Sequence, residues 1–297
     1  MLPGRGACLA AAMTVVLWGA AAPAVAQVLG QAPGYTDRRL SDVPNGAAMT
    51  ARIWVPGLDE GYVPQGLTVI GADLFVSSYR SVDPAQGRGP CRLYRISPVS
   101  GAVTGQLDLP AACGHAGGLA RGPAGRLFVA DTREVFEIAL GAAGEAGIGT
   151  VVRAMKLTGR VRGSFAAGTA DALWLGTYAK EGEPRFYRFP FAALKDELGD
   201  GDAAGSLPLP PEAQGGAFDA AGRLWITRSG GSFGELMQLD AATGEVKARY
   251  AMPAGIEDLS FDASGRIWSL SEAGSRRWLA WETFFPVIFR LDPERLR

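Results

Sequence analysis

Asp219-Ala220-Ala221-Gly222-Arg223-Leu224-Trp225 and Asp262-Ala263-Ser264-Gly265-Arg266-Ile267-Trp268 are one seven-residue phrase written twice, 43 residues apart. Each reads as a tight turn feeding an apolar–aromatic strand. Asp and Gly supply the turn, and Leu-Trp or Ile-Trp opens a half-buried strand. Gly215-Gly216-Ala217 precedes the first copy and Asp258-Leu259-Ser260 the second. Each phrase is therefore the tip and return strand of a β-hairpin.

Three looser copies lie upstream. Gly66-Leu67-Thr68 leads to Leu74-Phe75-Val76, Gly118-Leu119-Ala120 to Leu127-Phe128-Val129, and Ser164-Phe165-Ala166 to Leu173-Trp174-Leu175. Counted from Leu67, Leu119, Phe165, Gly216 and Leu259, the steps are 52, 46, 51 and 43 residues. A second hairpin usually follows, as in Arg92 to Leu109 around Ser100-Gly101 and in Leu236 to Ala251 around Thr243-Gly244. The repeat is a four-stranded antiparallel unit of about 40–50 residues, which is a β-propeller blade. Such a unit cannot bury its faces alone, and stacking around an axis buries both.

The reading is all-β, with five blades favoured and six as the alternative. The fifth unit has strands near 257–261, 266–271 and 286–291 and lacks a fourth. A spare strand at Met49 to Val55 is expected to close it. The division is 1–26 signal peptide, 27–48 N-terminal extension and 49–297 one propeller domain.

The signal peptide is read from Arg5, the apolar run Ala7 to Ala22 and the small-x-small site Ala24-Val25-Ala26 before Gln27. The apolar run is short for a spanning helix, so no membrane span is expected after cleavage. The expected location is the periplasm or the medium. Cleavage removes Cys8 and leaves Cys91 and Cys113, which in an exported chain predict a disulfide. The chain has 29 basic and 30 acidic residues, a net charge of -1 that argues against nucleic acid as a partner.

The Asp-Ala-x-Gly-Arg-(Leu/Ile)-Trp turns resemble the first hairpins of a broad bacterial propeller group. That group takes in NHL-repeat proteins, gluconolactonase-like and strictosidine-synthase-like proteins and streptogramin lyases. The resemblance covers most of the chain after residue 26 and implies fold, since these relatives include enzymes and pure binding modules. The gluconolactonase-like members imply an axial metal held by Glu, Asn and Asp. This chain departs from that, with Asn45 its single asparagine and Gly117 and Gly163 at two of the equivalent positions. The streptogramin lyases imply a histidine working with a metal.

Ligands of propellers commonly sit at the channel mouth, where the innermost strands start. Those starts are read as Gln65, Gly117, Gly163, Gln214 and Glu257. The ends of the second strands add Ser78 and Tyr79, Asp131 and Thr132, Thr177 and Tyr178, Arg228 and Ser229, and Ser271 and Glu272. Glu257 is the candidate metal ligand, and the one cofactor it suggests is a Ca²⁺ ion in the channel. His115 is the only histidine and the candidate base. A single histidine excludes a histidine-pair mechanism and a zinc site built mainly of histidines. The insertion Ala273 to Pro286 carries Arg276, Arg277, Trp278, Trp281, Phe284 and Phe285, a composition suited to a binding hot spot or to a short helix over the channel. Phe191 to Leu198 reads as a short helix, followed by an exposed acidic loop at Gly199 to Asp202.

The favoured reading is an exported propeller that binds a small molecule or a protein partner at this mouth. Its site residues are Gln65, Tyr79, Asp131, Tyr178, Gln214, Arg228, Glu272, Trp278 and Trp281, with His115 and Glu257 as the candidate catalytic pair. The alternatives are a metal-assisted lactone or ester hydrolase or lyase, and a structural scaffold of the cell envelope.

Overall fold

The computed structural model describes Met1, residues 27–142 and residues 147–297. The signal-peptide segment 2–26 lies outside the described residues. Among the described residues no helix is long and apolar enough to cross a membrane.

Five antiparallel sheets of four blade strands each surround one axis. Blade 1 is Tyr62–Ile70, Asp73–Arg80, Cys91–Ile96 and Val103–Asp108. Blade 2 is Gly118–Arg121, Arg126–Asp131, Glu134–Leu140 and Gly149–Leu157. Blade 3 is Phe165–Gly168, Ala172–Gly176, Arg185–Pro190 and Gly205–Pro208. Blade 4 is Ala213–Phe218, Leu224–Gly230, Phe233–Leu239 and Val246–Met252. Blade 5 holds Ile256–Phe261, Ile267–Ser271 and Val287–Leu291, and Met49–Trp54 pairs antiparallel with the last of these. A two-residue strand, Val28–Leu29, runs parallel to Arg52–Ile53 on the outer edge of that sheet.

The repeated Asp-x-x-Gly-Arg-x-Trp phrase has a specific chemistry. Asp219 Oδ1 accepts from the amides of Ala221 and Arg223, and its Oδ2 accepts from Arg223 Nε at 2.6 Å and Trp225 Nε1 at 3.0 Å. Asp262 repeats this with Ser264, Arg266 and Trp268 Nε1 at 3.1 Å, and takes Arg290 Nε in addition. Gly222 and Gly265 adopt φ of 76° and 75°, where a Cβ would be strained. The turn aspartate thus satisfies the one polar atom of an otherwise apolar indole, which lets the ring be buried between blades.

Side chains alternate along each strand, and the five apolar clusters are the five inter-blade layers. Leu74 and Val76 of blade 1 meet Trp268, Leu270 and Ile288 of blade 5, whereas Phe75 and Tyr79 face Leu127 and Val129 of blade 2. Phe128, Trp174 and Trp225 occupy the corresponding layers of the later blades.

At the axis the inner strands touch backbone to backbone. A Cβ added at Gly66 would lie 2.9 Å from Gly118 Cα, one at Gly118 2.5 Å from Phe165 Cα, and one at Gly215 2.4 Å from Asp258 Cα. Three of these five axial positions are glycine because there is no room for more. The fourth, Phe165, packs its ring against Phe186 at 5.2 Å. Asp258 alone places a polar side chain on the axis.

Two expectations need correction. Pairing of Thr68 with Phe75, Ala120 with Phe128, Ala167 with Trp174, Ala217 with Trp225 and Ser260 with Trp268 sets the common register. In that register the blade 3 partner of Gln65 and Glu257 is Ser164, one residue beyond Gly163. The Phe191 to Leu198 segment is not a helix. It forms a 3-10 turn at Phe191–Ala193 and an edge strand, Glu197–Leu198, parallel to the outer strand of blade 2. The loop after it is exposed, with Asp200 paired to Arg160 and Asp202 to Lys195.

Candidate functional site

Three inner strands carry a β-bulge at the same place, between Pro64 and Gly66, Ala213 and Gly215, and Ile256 and Leu259. The bulged residues are Gln65, Gln214, Glu257 and Asp258. A bulge releases a side chain from the alternation of the sheet and re-aims it, which is how these groups avoid the inter-blade layers.

Asp258 is fully buried. Its Oδ2 accepts from Leu67 N at 3.1 Å and Leu119 N at 3.0 Å, and its Oδ1 from Leu259 N at 2.9 Å. The Gly216 amide also bonds to it. One carboxyl therefore ties together the inner strands of blades 1, 2, 4 and 5. Burial pushes its pKa well above the ordinary range, and these amides pull against that.

Glu257 and Glu272 form the centre of the mouth. Both are buried, and each carboxyl lies in the field of the other. Gln65 Nε2 donates to Glu272 Oε2 at 3.0 Å and to Pro64 O at 2.8 Å, which fixes the amide and the carboxyl it faces. Burial pushes Glu272 up to about 7, against the indole of Trp278, the Arg277 guanidinium and Gln65, which favour its charged form. Burial and then the charge of Glu272 push Glu257 well above the carboxylate range. Two carboxyls in contact cannot both ionise, so the pair shares a proton near neutrality. Glu257 Oε1 has no hydrogen-bond partner within the protein.

Other buried polar atoms around this pair are also unpartnered: Ser78 Oγ, Ser229 Oγ, Ser275 Oγ and Trp278 Nε1. Ser78 and Ser229 end the second strands of blades 1 and 4, which flank blade 5. Ser275 and Trp278 belong to the blade 5 insertion. Buried polar groups are normally bonded, and apart from Trp174 Nε1 in the layer between blades 3 and 4 these exceptions belong to blade 5, its insertion and the two flanking blades, where a polar occupant would satisfy them.

An aromatic tier adjoins the pair. Tyr79 is fully buried, stacks on His115 at 4.6 Å and bonds to Arg277 through its hydroxyl. Burial, then Glu272, pushes its phenol above the usual range. Arg277 lies 4.2 Å over the Trp278 ring, and Trp278 stacks on Trp281 at 4.6 Å. The half-buried Tyr178 is raised by burial and by Glu212, Glu257 and Glu272, which places its hydroxyl in their field. Gln214 is half-buried on its bulge.

His115 bonds Gly87 O through Nδ1 at 2.7 Å, and burial lowers its pKa. The neutral ring then donates from Nδ1 and keeps a lone pair on Nε2. Asp131 and Arg228 are placed differently from the carboxyl pair. Asp131 is buried and accepts from the amides of Gly114, His115 and Ala116 at 2.8–3.3 Å, so it shapes the loop that carries His115. Arg228 is bridged to Glu212 and Glu235 and lies over Phe233. Cys91 and Cys113 are joined by a disulfide with Cα atoms 5.9 Å apart, bracing the same loop. The insertion folds as a 3-10 turn at Arg276–Trp278 rather than as a helix.

The donor set does not suit Ca²⁺, which takes six to eight oxygens. Only two carboxyls converge, Gln65 turns its nitrogen to Glu272, and Asp258 is occupied by amides. Among the described residues no group of three His, Cys, Asp or Glu is arranged for a metal.

Asp258 is the participant that residue type and spacing did not single out, and Arg277 was marked only as part of the insertion's composition. Arg277 is buried only because blade 1 folds beside the insertion, where its guanidinium also meets the carbonyls of Asp83 and Pro84. Asp258 beside Glu257 in a strand start was the available signal.

No family model and no curated protein matches the chain. Among solved structures it is similar to the glutaminyl cyclase of Myxococcus xanthus, with TM-score 0.57 and 14% identity over 82% of this chain and 94% of that one. It is also similar to the PQQ-bound aldose sugar dehydrogenase of Streptomyces coelicolor, with TM-score 0.46 and 14% identity over 77% and 94%. A catalytically inactive virginiamycin B lyase from Staphylococcus aureus gives TM-score 0.39 and 14% identity over 75% and 81%. At such identities the likeness is one of fold.

Proposed function

We propose that this protein is an exported propeller that binds a small polar ligand at its axial mouth, on the Glu257–Glu272 pair. The observation that carries this reading is Glu257 Oε1, a buried acceptor without a partner beside the buried carboxyl of Glu272. A ligand hydroxyl, amine or amide satisfies that atom, and the indole N–H of Trp278 and the hydroxyls of Ser78 and Ser229 supply donors for its other polar groups. Tyr178 and the Trp278–Trp281 stack offer aromatic faces for its carbon skeleton. Export is supported by the sequence before Gln27 and by the disulfide, which oxidising compartments allow.

A second reading, a hydrolase or lyase, is favoured by the shared proton itself. A carboxylic acid in contact with a carboxylate near neutral pH offers a general acid and a general base at one place. Metal assistance is not needed for that role.

The test is a thermal-shift panel of sugars, sugar lactones, amines, carboxamides, organic acids and Ca²⁺ against the wild type, Glu257→Gln and Trp278→Ala. A ligand of this site raises the wild-type melting temperature and loses the effect in both variants. Ligands that stabilise wild type and Glu257→Gln alike overturn the assignment. Hits are then incubated and analysed for turnover, which separates binder from enzyme. A scaffold predicts that no small molecule discriminates the variants.

A further inference from the structure

The N-terminal extension does more than precede the propeller. Three carbonyls of the blade 5 insertion converge on one side chain: Arg38 Nη1 donates to Leu279 O at 2.7 Å and Trp281 O at 2.9 Å, and Nη2 to Glu282 O at 2.5 Å. The same guanidinium lies 5.2 Å over the Phe284 ring. On either side, Tyr35 donates its hydroxyl to Gly274 O at 2.5 Å, and Ser41 exchanges two bonds with the backbone of Phe284, each 2.9 Å. The insertion is thus gripped at its start, middle and end by residues some 240 positions away. The turn gripped in the middle carries Trp278 and Trp281.

We propose that Arg38 is the positioning residue of the mouth: it fixes the Leu279–Glu282 turn and so holds the Trp278–Trp281 stack against Glu272. This rests on the mouth being the functional site. A guanidinium suits the task because its planar fork presents several N–H donors at once, and three carbonyl dipoles facing one point repel unless a cation lies between them. Tyr35 and Leu40 of the same stretch pack against the layers on either side of blade 5, whereas Arg38 directs its donors to the insertion. The groups facing Glu272 are Gln65 and Tyr79 of blade 1, Glu257 of blade 5, Tyr178 of blade 3, and Arg277 and Trp278 of the insertion. Of these, Trp278 is the one whose place depends on the gripped turn.

The experiment follows tryptophan fluorescence against pH in wild type, Arg38→Ala and Arg38→Lys, with Trp278→Phe and Glu272→Gln as assignments. Wild type is expected to show a step near neutrality that both assignment variants abolish. Arg38→Ala is expected to keep its far-ultraviolet circular dichroism and a cooperative melt. Its step shifts as the Trp278–Trp281 stack moves relative to Glu272, and acrylamide quenching of the stack increases. Millimolar guanidinium is expected to restore both, and Arg38→Lys to restore them in part. A step and quenching unchanged in Arg38→Ala overturn the positioning role. A wild-type step that survives Glu272→Gln, or no step at all, overturns instead the reading of the carboxyl pair on which the role rests.

Discussion

The buried carboxyls of Glu257 and Glu272 lie in each other's field, the two residues standing one position beyond a paired position of adjacent strands, Ile256 opposite Ser271. Contact between buried acids has a thermodynamic signature. Glu272 is raised from 4.5 to about 7, so between those values the folded chain holds a proton that the unfolded chain has released. This contribution is fully present below pH 4.5 and is lost as pH rises through 7. Its span, about 2.5 pH units, corresponds to up to about 3 kcal/mol. Glu272→Gln removes it. The variant is expected to gain stability relative to wild type between pH 5 and pH 8, measured by urea denaturation at each pH. A difference independent of pH would sink the shared proton.

Asp258 makes a contrasting prediction. Its carboxyl satisfies amides from four inner strands, and truncation strands those donors inside the axis. Each buried unpaired donor costs about 1–3 kcal/mol. Asp258→Ala is expected to lose at least about 4 kcal/mol or to fail to fold, whereas Glu257→Gln, at the adjacent residue of the same bulge, changes stability far less. Comparable losses in the two variants would contradict the division between axial tie and ligand site.

The turn phrase predicts matched behaviour in two blades. Trp225→Phe and Trp268→Phe each remove an indole donor from a turn aspartate while keeping an aromatic ring in the layer. Each is expected to cost about 1 kcal/mol, and the double variant about the sum, because the two bonds share no partner. Denaturant midpoints of the two single variants and the double variant check this.

The Cys91–Cys113 disulfide closes a separation of 22 residues. The chain-entropy relation gives about 3 kcal/mol for a loop of that size. Cys91→Ala with Cys113→Ala is expected to lower stability by about that amount and to loosen the loop that holds His115 on Tyr79. Proteolysis between Gly87 and Ala116 reads the second effect. An uncleaved loop in the variant means that Asp131 and the bonds from Gly89 and His115 hold it without the disulfide.

Much of the architecture is legible in the chain. The hairpins at Asp219 and Asp262 announce themselves because turn chemistry and strand alternation are local properties of seven or eight residues. The five repeats follow from them, and so does the spacing of the aromatic layers. The register of blade 3 was not legible. Ser164 and Gly163 are equally small, and only pairing of Ala167 with Trp174 chooses between them. The helical reading of Phe191 to Leu198 failed for a related reason. Its apolar spacing suits a helix, but the free edge of blade 2 captures Glu197 and Leu198 as a strand.

The sequence by itself determined a ring of hairpin-built blades, an unusual histidine and a carboxylate at the start of an inner strand. The tertiary structure decided what those groups do. Glu272 reaches Glu257 because a bulge at Glu257 re-aims one of them, and Gln65 reaches Glu272 across 207 residues because the last blade closes on the first. Arg38 meets its three carbonyls across more than 240 residues for the same reason. Local patterns are written in neighbouring residues, and a site on the axis exists only when the ring brings the chain's two ends together.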